Sequence, residues 1–136
     1  MRRLYIASHG DFSKGIKHSL EMIAGNAAAA VSTYSLYPGE SAVDFTQTLK
    51  KKIAQAPGDE FVLMGDLFGA SVVNELLELS TFENVIVLSG MNLNLALEIL
   101  LASPEKLTEE KIQEIIQNAQ QGIQRVSIEY LENDDF

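Results

Sequence analysis

The chain has 136 residues, a length that favours one folded domain (residues 1–136) and lets folding bury roughly two thirds of the surface an unfolded chain exposes. Hydrophobic residues make up 46% and charged residues 21%, the balance of a soluble globular protein, and the absence of cysteine excludes disulfides and thiolate metal sites. A net charge of −9 argues against nucleic acid and anionic lipid, whose recognition relies on clustered Lys and Arg.

Arg2 and Arg3 open the chain, but His9, Gly10 and Asp11 interrupt the apolar run too early for a signal peptide. No stretch approaches the ~18 apolar residues of a membrane span, so a cytoplasmic protein is expected. Leu4-Tyr5-Ile6-Ala7 reads as a first strand, ended by Ser8-His9-Gly10. Ile16, Leu20 and Ile23 recur at helical spacing, with Gly25-Asn26 as a stop. Residues 31–37 form a second strand, closed by Pro38-Gly39. A helix follows from about Ser41, turning Val43, Leu49 and Ile53 inward, and Lys50, Lys51 and Lys52 lie on its solvated face.

Phe61-Val62-Leu63-Met64 is a third strand running into Gly65-Asp66, followed by a helix with Val72, Val73, Leu76 and Leu77 apolar. Val85-Ile86-Val87-Leu88 is a fourth strand and residues 93–101 a helix. Thr108 caps a last helix whose Glu109 and Glu110 suit its positive end. Val126-Ser127-Ile128 is expected to add a last, antiparallel strand, with an acidic tail behind it. The alternation predicts an α/β fold: a single open, mainly parallel sheet with helices on both faces.

In such sheets ligands bind beyond the carboxyl ends of the strands. His9 after the first strand and Asp66 after the third therefore stand out. A neutral imidazole can attack phosphorus through one ring nitrogen while a carboxylate holds the other as a donor and stabilises the cation that forms. Gly10 and Gly69 permit close backbone approach at two helix starts, Ser71 adds a hydroxyl, and a phosphoryl group could be cradled there with no metal or cofactor. His18, inside a helical pattern, reads as a structural residue.

Ile6-Ala7-Ser8-His9-Gly10, Tyr37-Pro38-Gly39-Glu40, Gly65-Asp66-Leu67-Phe68-Gly69-Ala70-Ser71 with Asn74, and Gly90-Met91-Asn92-Leu93 together resemble the mannose-family IIA components of the bacterial phosphoenolpyruvate-dependent sugar phosphotransferase system. The resemblance implies a cytoplasmic homodimer, often with an exchanged last strand. It also implies a phosphohistidine at His9, through Nε2, charged by the phosphocarrier protein HPr and discharged to a IIB component working with membrane IIC and IID proteins. Asp66 would orient the ring and Ser71 would line the pocket. Val72 stands where many members have proline, as does Asn94. Two relatives of the same fold are alternatives: the phosphotransferase subunit of dihydroxyacetone kinase and a phosphorylation-dependent regulatory module. A response-regulator receiver would need paired acids after the first strand for Mg²⁺, where Ser8-His9 stands. A histidine phosphatase would need an arginine clamp, yet none lies between Arg3 and Arg125.

Overall fold

The computed structural model describes residues 1–128. Four strands, β1 (Arg2–His9), β2 (Ser32–Leu36), β3 (Glu60–Gly65) and β4 (Val85–Leu88), form one parallel sheet in the order β2-β1-β3-β4. Among the described residues five α-helices accompany them: α1 (Phe12–Ala24), α2 (Val43–Gln55), α3 (Ser71–Leu77), α4 (Leu93–Leu101) and α5 (Glu109–Gln121).

Because side chains alternate along a strand, each strand feeds two cores. Leu4 and Ile6 of β1 with Val62 and Met64 of β3 pack against Ile16 and Leu20 of α1, Ile99 of α4 and Ile115 of α5. Tyr5 and Ala7 with Phe61 and Leu63 face the other way, against Leu49 and Ile53 of α2 and Val72 and Leu76 of α3. Burial on both faces explains why the strands read as continuous apolar runs. Among the described residues no helix is long and apolar enough to cross a membrane.

The chain leaves β1 toward β2 on one side and leaves β3 toward β4 on the other. The crevice where such connections diverge lies at the carboxyl ends of β1 and β3. Both strands are in register there, Ala7 opposite Gly65.

Several expectations are corrected. The antiparallel last strand does not form among the described residues: residues 123–127 take no regular structure, and all sheet pairings are parallel. A strand needs a free sheet edge to satisfy its backbone, and this segment leaves α5 without reaching one. Val43 is 44% exposed because α2 begins at it, and the inward stripe is Thr46, Leu49 and Ile53. Ile23 and Leu77 sit at helix ends on the outer face and are exposed as well. The acidic tail lies outside the described residues.

Candidate functional site

His9 is the last residue of β1, and Asp66 is the first after β3. One oxygen, Asp66 Oδ2, accepts both the His9 backbone N–H at 2.7 Å and the His9 ring nitrogen Nδ1 at 2.8 Å. An ionised carboxylate can only accept, so Nδ1 carries the proton and Nε2 keeps its lone pair. The Asp66 side chain is 12% exposed and that of His9 50%. Burial opposes the charge on Asp66, but the bonds from the His9 backbone and ring outweigh it and hold the carboxyl below its ordinary range. The second oxygen, Oδ1, is buried without a partner.

Nε2 faces the start of α3, where the Ser71 hydroxyl lies 3.5 Å away. Ser71 is the first residue of α3, and the opening N–H groups of a helix have no acceptor within it. Gly69, at φ 81°, makes the reversal that brings this start up to His9. Its carbonyl accepts from Asn74 Nδ2 at 3.3 Å, which holds the loop onto the helix.

Gly10 takes φ 56° in the other turn. Its N–H donates to the Leu36 carbonyl at 2.7 Å, so that amide is already engaged. The remaining connections converge on the same end. Met91 N–H donates to the Gly65 carbonyl at 3.0 Å, and Asn92 caps α4 by accepting from Leu95 N–H at 2.8 Å. In the turn after β2, Glu40 accepts from Tyr37 N–H at 2.8 Å.

Two features escaped sequence reasoning. Tyr37 donates its hydroxyl to Asp11 and receives a bond from Lys14 Nζ at 2.7 Å, which joins the turns after β1 and β2. Phe12 at the start of α1, and Leu67 and Phe68 in the turn after Asp66, stand exposed, Phe68 at 84%. The signal for Leu67 and Phe68 was two large apolar residues placed in a turn, where periodicity does not call for them. His18 is exposed on α1. Among the described residues no three His, Asp or Glu side chains gather as a metal-holding group.

Comparison with known proteins bears on this arrangement. A family model described as the PTS system fructose IIA component matches residues 3–120. Among solved structures, a protein of Klebsiella pneumoniae described as a phosphoenolpyruvate-dependent sugar phosphotransferase system permease is 34% identical, over 91% of this chain and 90% of that one, with a TM-score of 0.77. A phosphotransferase system component EIIA of Streptococcus agalactiae is 28% identical, over 96% and 99%, with a TM-score of 0.79. The PTS IIA protein associated with the fucose utilization operon of Streptococcus pneumoniae is 28% identical, over 97% and 96%, at 0.76. No curated protein matches the chain.

Proposed function

The chain belongs to the IIA components of the sugar phosphotransferase system, and on that premise we propose that His9 is its phosphoryl carrier, charged by HPr and discharged to a IIB component. Membership itself carries a phosphotransfer role in sugar uptake. The observation that carries the residue assignment is a single distance: Nδ1 stands 2.8 Å from Asp66 Oδ2, which leaves Nε2 as the basic nitrogen at the open mouth of the crevice.

The chemistry follows from that geometry. The Nε2 lone pair attacks phosphorus while the bond to the donor breaks and its electrons return to the donor atom. The ring becomes cationic as the N–P bond forms. Asp66, already ionised and bonded to Nδ1–H, stabilises that cation without moving. The Ser71 hydroxyl, 3.5 Å from Nε2, is available to donate to a phosphoryl oxygen. Discharge is the reverse, with the acceptor's nucleophile attacking and Nε2 leaving as a neutral imidazole. The exposed rim of Phe12, Leu67 and Phe68 gives a protein partner apolar surface to cover and exclude water.

We further propose a homodimer in the cytoplasm, working with membrane IIC and IID proteins. The support is an exposed apolar string, Ile123, Val126 and Ile128, whose first member lines a cavity of about 440 Å³ together with Val87 and Leu88 of β4 and Ile116 of α5. A strand from a second copy could pair with the open β4 edge there.

The test is incubation with phosphoenolpyruvate, enzyme I and HPr. The expected outcome is one acid-labile phosphate, on His9, lost in His9→Ala while the fold is kept. Phosphate retained in His9→Ala overturns the assignment. Sedimentation at micromolar concentration tests the dimer, and a monomeric mass refutes it.

A further inference from the structure

Among the described residues the buried polar side chains are Ser8, Ser13 and Thr46. Thr46 bonds back to its own helix, to the Val43 carbonyl at 2.9 Å. Ser8 and Ser13, both 0% exposed, lie instead beneath the turn that presents His9. A buried hydroxyl is unfavourable unless bonded, so what each one holds is informative.

Helix α1 begins without help from its own cap residue, since the Asp11 side chain makes no capping bond. Ser8 caps it from the strand side: its Oγ accepts the Ser13 N–H at 2.8 Å. The same Oγ donates to the Gly10 carbonyl at 3.0 Å. Three backbone groups of the turn that presents His9 are then tied. His9 N–H goes to Asp66 Oδ2, Gly10 N–H to the Leu36 carbonyl, and the Gly10 carbonyl to Ser8. Ser13 Oγ has a different task, donating to the Tyr34 carbonyl of β2 at 2.9 Å.

We propose that the Ser8 hydroxyl is a positioning residue for the phosphoryl-accepting ring, pinning the His9–Gly10 turn so that Nδ1 stays on Asp66 and Nε2 stays open. It never touches the phosphoryl group and acts through His9. The inference rests on the reading of His9 as carrier, but its central measurement does not.

That measurement is ¹⁵N NMR of the His9 ring, which distinguishes the two neutral tautomers. Wild type should show the Nδ1–H form. Ser8→Ala should show a mixture of forms, with phosphorylation by phosphorylated HPr slowed roughly tenfold at unchanged KM, the size expected when a reacting atom is slightly misplaced. Ser13→Ala removes an equally buried hydroxyl from the same helix start, and its ring signals should match wild type. Ser8→Cys is close in shape and a poor bonding partner, so it should repeat the Ser8→Ala ring signals even if the alanine variant folds badly.

Wild-type ring signals in both Ser8 variants overturn the proposal. So does an equal ring change in Ser13→Ala, which would make the effect one of general stability. If wild type takes no phosphate, the carrier reading fails while the ring signals still decide what Ser8 does.

Discussion

Replacing Asp66 by Asn keeps the shape of the site and removes its charge. Two hydrogen bonds, at 2.7 and 2.8 Å, converge on Oδ2, and an amide oxygen can still accept both. What disappears is the attraction between carboxylate and ring once the ring becomes cationic. Two unit charges about 4 Å apart at an effective dielectric constant of about 20 interact by roughly 4 kcal/mol, an upper bound here. The His9 side chain is 50% exposed, so water screens much of that, and about 1–2 kcal/mol is the reasonable remainder. A loss of that size in the transition state slows phosphoryl transfer roughly 5- to 30-fold. The amide also places an N–H₂ at the position of Oδ1, which is buried with no partner, so stability should fall by about another 1 kcal/mol. Rapid-quench transfer from phosphorylated HPr at saturating concentration reads the first effect, and thermal unfolding reads the second. A transfer rate within twofold of wild type would refute the electrostatic role of Asp66. A large loss that merely follows unfolding would refute the separation of the two effects.

The pH dependence has a definite sign. The carboxyl of Asp66 is held below its ordinary pKa of 3.8 in the folded chain, so its contribution is complete above that value and disappears as pH falls through the lower folded value. The stability gap between wild type and Asp66→Asn, measured by urea unfolding, should therefore narrow below about pH 4; a gap that widens there contradicts the assignment. Gly65→Ala should destabilise by about 1–3 kcal/mol, because a Cβ would lie 2.4 Å from Cγ2 of Val73, a stiff and buried neighbour. An unchanged melting temperature would show that α3 yields freely. Arg2 is 11% exposed and bonds Glu60 at 2.8 Å together with the carbonyls of Ser103 and Glu105, clasping the segment before α5 to the sheet. Arg2→Ala should cost about 3 kcal/mol, or roughly 10 °C in melting temperature, by leaving Glu60 without its cation and with only the Leu107 N–H to bond. A drop under about 3 °C would make the clasp ornamental.

Much of this protein was legible in one dimension because its signals are local. Val85 to Leu88 read as a strand and are one, since a parallel strand buried on both faces must be apolar throughout. Thr108 was legible as a cap because a hydroxyl three residues before a helical amide has an obvious use, and it accepts from Lys111 N–H at 3.1 Å. His9 and Asp66 were legible as candidates because the rule that places ligands at the carboxyl ends of parallel strands requires only strand boundaries.

Their meeting was a tertiary decision. Fifty-seven positions separate them, and only the strand order β2-β1-β3-β4 makes β1 and β3 neighbours, in the register that sets Ala7 against Gly65. The same holds for the hydroxyls. Ser8 read as part of the end of the first strand, and Ser13 drew no reading at all, yet packing buries both beneath the turn. Val126 shows the reverse limit: its β propensity was plain, yet no sheet edge takes up residues 123–127. Propensity and periodicity depend on what a residue is and what stands beside it in sequence, and these settle the elements. Which nitrogen of an imidazole is held and which is left open depends on groups brought from elsewhere in the chain, and that follows from topology and register alone.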